Sequence, residues 1–167
     1  MKILIHDLEE KDFNIIKSYL TDDLVIIEDD KTIKPCTGCF GCWIKTPAEC
    51  LQKDNYCNLG ELLSKCDGVI IISQCCYGGF SPFVKNVLDR SISYVHPYLV
   101  IVNEEMHHRR RYENQVSLDV WFYGDTMTTR EKQTAQKLVY ANSINLSWHV
   151  HKIQFLNYIS EIEGLVI

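Results

Sequence analysis

Three features of this 167-residue sequence predict an α/β fold built on an open, five-stranded parallel sheet. The first is the run Val69-Ile70-Ile71-Ile72, a β-branched, wholly apolar stretch suited to a strand buried on both faces. The second is the turn at the end of that run. The chain breaks at Ser73-Gln74-Cys75-Cys76, turns on Gly78-Gly79 and restarts as a helix with Pro82 in its first turn, the grammar of half a βαβ unit. The third is the regular alternation of strand and helix patterns along the whole chain, which places helices on both faces of the sheet as a three-layer sandwich. Right-handed crossovers leave few topologies, and the strand order 2-1-3-4-5 is expected.

Lys2–His6 reads as the first strand, and Phe13, Ile16 and Leu20 mark a short helix leading to a second strand at Leu24–Ile27. A turn-rich insertion from Thr32 to Asn58 holds five of the eight cysteines. Asn58 and Glu61 have the spacing of an N-cap and its acidic partner, and Leu59, Leu62, Leu63 and Cys66 form a helical stripe into the central strand. Phe83, Val84, Val87, Leu88 and Ile92 give the next helix one apolar face. Tyr98–Asn103 is expected as the fourth strand, Glu104 to Gln115 as a polar connection, and Leu118–Tyr123 as the fifth strand. Thr128 with Glu131 predicts a capping box opening a helix with Ala135, Leu138, Val139 and Leu146, and Val150–Leu156 predicts an extra C-terminal strand at an edge.

Length and the absence of linkers or repeats imply a single domain over 1–167. The formal net charge of −5 argues against nucleic acid or an anionic membrane as partner. No apolar run reaches membrane-spanning length, and the N-terminus lacks a signal-peptide core, so a cytoplasmic protein is expected. In that compartment cysteines serve as thiols or metal ligands more often than as disulfides.

Cys36, Cys39, Cys42 and Cys50 follow C-x2-C-x2-C-x7-C. Such spacing can bring thiolates around a common point, and zinc held by four thiolates is chemically feasible. The alternative is a tight loop shaped by Gly38, Gly41 and Pro47, on which Trp43 packs, with the cysteines as small buried or redox-sensitive residues.

Pro35-Cys-Thr-Gly-Cys-Phe-Gly-Cys-Trp43, then Thr46-Pro47 and Cys50, then DGVIIISQCCYGGFSPFVKNVLDR from Asp67 to Arg90, together resemble the flavodoxin-like NAD(P)H-dependent FMN reductases. More narrowly they resemble the branch whose cysteine-rich loop is shared with the iron–sulfur flavoproteins. The resemblance implies FMN as cofactor and NAD(P)H as reductant, with the flavin carrying the hydride chemistry. It implies that the loop holding Gln74, Cys75, Cys76, Tyr77, Gly78, Gly79, Phe80 and Ser81 lies along the flavin ring. Asn103, Glu104, Met106 and His107 would approach from the other side. It further implies a [4Fe–4S] cluster on Cys36, Cys39, Cys42 and Cys50, and a homodimer with Tyr94, His96 and Tyr98 near the contact. No catalytic residue is singled out.

One stretch departs from the family pattern. Where a serine-, threonine- or glycine-rich loop would cradle the FMN phosphate, this chain has Asp7-Leu8-Glu9-Glu10-Lys11-Asp12. Arg109-Arg110-Arg111 offers a substitute phosphate anchor, or else a solvated loop. Three functions are therefore open. The first is an FMN-binding oxidoreductase that reduces a small flavin- or quinone-type acceptor. The second is an iron–sulfur flavoprotein passing electrons to a redox protein. The third is a flavodoxin-like domain without FMN that binds a partner or senses thiol oxidation.

Overall fold

The computed structural model describes residues 1–162. Five strands, β1 (Lys2–His6), β2 (Leu24–Ile27), β3 (Gly68–Gln74), β6 (Val116–Tyr123) and β7 (Trp148–Leu156), pair in parallel in the order β2-β1-β3-β6-β7. Two further strands, β4 (Val95–Val102) and β5 (Glu105–Arg110), form a separate antiparallel hairpin. The helices are α1 (Glu10–Ile16), α2 (Gly41–Ile44), α3 (Leu59–Lys65), α4 (Pro82–Arg90) and α5 (Thr129–Leu146).

The expected five-stranded parallel order is present, but the strands that fill its last two places differ from expectation. Leu118–Tyr123 lies in β6, beside β3, and the predicted extra strand Val150–Leu156 lies in β7, the fifth member of the sheet. Tyr98–Asn103 is not in this sheet at all. Its apolar side chains pair with the stretch expected as a polar connection, closing through Asn103 and Glu104, whose φ values of 50° and 67° supply the left-handed pair that a two-residue hairpin turn requires.

Central position explains the composition of β3. Val69 and Ile71 face a core shared with α3, α4 and α5, while Ile70 and Ile72 face a second core with Ile16 of α1. All four are nearly inaccessible to solvent, and each buried side chain of this size is worth roughly 1.5–3 kcal/mol. The second face changes character toward β7. There Trp121 Nε1 donates to Gln154 at 2.8 Å, Lys152 lies over the Trp121 ring, and His151 and Asp119 pair at 2.7 Å. Among the described residues, polar side chains stand on that end of the sheet, while Ile159 and Ile162 pack in the same cluster as Trp121.

Helix ends follow local chemistry unevenly. Thr128 and Glu131 form the expected capping box on α5, each side chain meeting the other's backbone N–H. Asn58 makes no side-chain cap on α3; Glu61 instead pairs with Lys65 one turn on, at 2.6 Å. Ser81 caps α4 by accepting from Val84 N–H at 3.3 Å, with Pro82 next to it as the sequence predicts.

The cysteine-rich insertion is fastened to this frame at three points. Trp43 Nε1 donates to Val95 O at 2.9 Å, and Tyr56 Oη donates to Glu28 O at 2.7 Å. Deepest of all, Arg90 at the end of α4 grips Asp54 with two hydrogen bonds of 2.8 Å and reaches Lys34 O at 2.8 Å.

Candidate functional site

Two cavities flank the loop that leaves β3. The larger, about 940 Å³, is bounded by the cysteine-rich insertion, the turn after β3, α4, the hairpin and α5. The smaller, about 420 Å³, opens at the carboxyl ends of β1, β3 and β6. Ligands of open α/β sheets bind at this end of the strands.

The turn between them is tightly built. Cys76 and Gly79 exchange both backbone hydrogen bonds at 2.9 Å, and Gly78 takes φ +78° against α5. A Cβ there would lie 2.9 Å from Thr134 Cβ and 3.0 Å from Glu131 O, so glycine is required by backbone conformation and by space. Tyr77 also has positive φ, at 51°, with its side chain 95% exposed. Phe80 turns inward and packs on Phe122 with ring centres 5.0 Å apart.

The predicted flavin-loop residues are thus divided by the fold. Cys76, Gly79, Phe80, Met106 and His107 line the larger cavity, and Gln74 and Ser81 line the smaller. Cys75, Tyr77, Gly78, Asn103 and Glu104 line neither. Asn103 and Glu104 form the exposed hairpin tip, while His107, deeper in β5, sets Nδ1 2.7 Å from Asn145 Oδ1. Tyr94 is buried and donates to Asn114 Oδ1 at 3.0 Å, which removes it from any subunit contact.

Cys36, Cys39, Cys42 and Cys50 all border the larger cavity. Their electrostatics differ. The backbone N–H of Gly41 lowers the Cys39 thiol pKa, while burial, and then the charges of the neighbouring thiols, raises that of Cys42. Among the described residues, no three His, Cys, Asp or Glu side chains converge to hold a metal ion. The four thiols share a wall and lie near enough for their charges to act on one another, without forming a ligand set in this arrangement. Cys66 is core, its thiol pushed up to about 11 by burial.

The smaller cavity is acidic. Asp7, Glu9, Asp12 and Asp29 line it against Lys11 and Lys31, and those lysines are paired with Glu9 at 3.5 Å and Asp29 at 2.6 Å. The Asp7 carboxylate accepts from Gln74 N–H at 3.0 and 3.2 Å and from Tyr123 O–H at 3.2 Å. Burial raises its pKa against the pull of these bonds, and the Tyr123 hydroxyl is pushed up by burial and then by the Asp7 charge. Arg109, Arg110 and Arg111 line neither cavity; Arg110 and Arg111 bond backbone carbonyls at Tyr112, Asn114 and Val95.

Sequence reasoning missed the α5 wall. Leu138, Asn142 and Asn145 face the larger cavity, and their spacing on one helical face was a readable signal. The Asp54–Arg90 pair and the role of Tyr123 had no local signal.

The parallel order around β3, with helices on both faces and a cleft at the strand ends, makes this a flavodoxin-like protein. No protein-family model matches the chain. Two iron–sulfur flavoproteins of Archaeoglobus fulgidus are related to it in sequence. One is 30% identical over 92 residues, 55% of this chain and 37% of that protein. The other is 34% identical over 62 residues, 37% of this chain and 29% of that protein. The matches therefore span about a third of these relatives' length. Similar solved structures include a putative quinone reductase from Klebsiella pneumoniae (TM-score 0.56, 11% identity, 99% of this chain and 79% of that one). Another is an FMN-dependent NADH-azoreductase from Bacillus anthracis in complex with FMN (TM-score 0.52, 10% identity, 99% and 92%). The solved structures share the flavodoxin-like fold, and the sequence matches agree with the expected resemblance to iron–sulfur flavoproteins over part of their length.

Proposed function

We propose that this protein is a flavin-binding oxidoreductase that takes reducing equivalents from NAD(P)H and passes them to a small planar acceptor of flavin or quinone type. The observation that carries this reading is the glycine turn Cys76–Phe80 on the wall of a cavity of about 940 Å³, large enough for a ring system. The relatives and structural neighbours point the same way. When bound, the flavin would supply the hydride chemistry. The protein's part is to present Gly79 backbone and the Phe80 ring to a flat ligand, to exclude water with Leu138, Leu99 and Met106, and to offer Asn142, Asn145 and His107 as polar contacts. A cytoplasmic homodimer fits this reading: Tyr98, Leu99 and Ile101 leave an apolar row exposed on β4, beside the cavity mouth.

A flavin titration tests the proposal. Adding riboflavin or FMN to purified protein is expected to quench flavin fluorescence saturably below tens of micromolar, with flavin-dependent oxidation of NADH or NADPH in the presence of a quinone. Absence of saturable binding by either flavin in that range, a generous limit for a cofactor site, would end the reading.

Electron transfer through a cluster on Cys36, Cys39, Cys42 and Cys50 is a second reading, favoured by their shared cavity wall and by the relatives. It requires the loop to rearrange, because the thiols do not converge. Iron and acid-labile sulfide in anaerobically purified protein would support it, and iron-free protein would remove it.

A further inference from the structure

We propose that Asp7 fills the anion position at the strand ends with its own carboxylate, so that the site takes a flavin lacking the 5′-phosphate, riboflavin or a similar uncharged ring, in preference to FMN. The choice of ligand class rests on the flavin-binding reading above; the assignment of Asp7 does not.

The argument begins with the donors. Gln74 N–H at the end of β3 and Tyr123 O–H at the end of β6 both converge on the Asp7 carboxylate, which leaves the end of β1. Ser81, the cap of the nine-residue helix α4, lines the same cavity and lowers the Asp7 pKa. Donors from two neighbouring strand ends, beside the start of a helix, form the surroundings an anionic ligand would use. Here they are already satisfied from within the chain.

The surroundings then oppose a second anion. Glu9, Asp12 and Asp29 add carboxylates to the cavity, and its two lysines are engaged by Glu9 and Asp29. A phosphate dianion would have to displace the Asp7 carboxylate and sit among like charges at short range. Among the described residues, no replacement cradle lines the larger cavity. Its cations Arg90 and Lys85 are committed to Asp54 and Asp89, and the arginines at 109–111 lie outside it. FMN therefore does not fit this site at its phosphate end, although the ring end offers room.

Asp7→Asn keeps the side chain's shape and removes its charge. Asp7→Ser also opens the space. Each is compared with the unaltered protein by fluorescence titration with riboflavin and with FMN, and by thermal unfolding with and without inorganic phosphate. The unaltered protein is expected to bind riboflavin about ten-fold or more tightly than FMN and to gain no stability from phosphate. Asp7→Ser should bring FMN level with riboflavin or ahead of it, and should unfold at a higher temperature when phosphate is present. Asp7→Asn should narrow the gap, and it decides the matter if Asp7→Ser does not fold.

Tighter binding of FMN than of riboflavin by the unaltered protein would overturn the proposal. So would folded variants whose flavin preference and phosphate response are unchanged. If no flavin binds any version but Asp7→Ser responds to phosphate, the flavin reading falls and the role of Asp7 stands.

Discussion

Asp54→Ala is expected to lower the stability of the folded chain by about 3–5 kcal/mol, because it strands a buried guanidinium. The Arg90 and Asp54 side chains are 0% and 3% exposed, and they meet through two parallel hydrogen bonds of 2.8 Å. Arg90 holds the Asp54 carboxyl below the usual carboxylate range. Without Asp54, the carbonyls of Lys34 and Gln52 still accept from Arg90, but the charge has no counterion. The same loss frees the cysteine-rich insertion from α4, so the cavity wall loosens together with the fold. Urea unfolding at pH 7 measures the effect. The double variant Asp54→Ala with Arg90→Met should lose less than Asp54→Ala alone, since it leaves no buried charge. A single-variant loss below about 1 kcal/mol, the range of an exposed ion pair, would show that the pair is solvated in solution.

Acid should weaken the protein from about pH 6.5 downward, and His6 is a principal reason. The ring is 1% exposed, stacked on Phe13 at 4.8 Å, and accepts a hydrogen bond from Leu8 N–H at Nδ1. Burial lowers its pKa from 6.5 to about 4. The unfolded chain therefore binds a proton at this position between pH 6.5 and 4 while the folded chain does not. Stability contributed by the neutral ring is full above pH 6.5 and falls as pH drops toward 4, by about 3 kcal/mol in total. His6→Phe keeps the stack and removes the titration. Its unfolding free energy should vary less between pH 7 and pH 4.5 than that of the unaltered protein, and an identical slope would assign the acid sensitivity elsewhere. Carboxyls held low by hydrogen bonds, such as Asp54 and Glu61, add their own losses only at lower pH.

Much of the frame was legible because its signals are local or strongly periodic. The buried run at Val69–Ile72 needs no partner to declare itself, and neither does the Thr128–Glu131 capping box. The glycine turn between β3 and α4 was readable for the same reason. What escaped depends on pairing between distant segments. An apolar run such as Leu99–Val102 reads as a sheet strand, yet its exposed side chains lie in a hairpin whose partner strand, EMHHRR, carries almost no apolar pattern. That exchange moved Leu118–Tyr123 inward to the place beside β3. The site divided along the same line. Spacing alone suggested that four cysteines belong together, and the fold sets them along one cavity wall, but the distances between thiols are decided by anchors at Trp43, Tyr56 and Arg90. Likewise the acidic stretch after β1 was visible, whereas the inward bonding of Asp7 needed the positions of Gln74 and Tyr123.

The hairpin bears on how a ligand enters. Two strands by themselves are barely stable in water, and β4 and β5 are held chiefly by α5, by Trp43 and by the arginine bonds to backbone carbonyls. With Ile101 79% exposed, this ribbon buries little apolar surface. It is thus a subglobal unit that can open at a free-energy cost below that of the whole domain. Amide protons of β3 and β6 are expected to exchange only on global unfolding and those of Leu99 to Met106 by local opening of the ribbon, which native-state hydrogen exchange measures. Opening of that ribbon alone would widen access to the larger cavity and leave the parallel sheet intact.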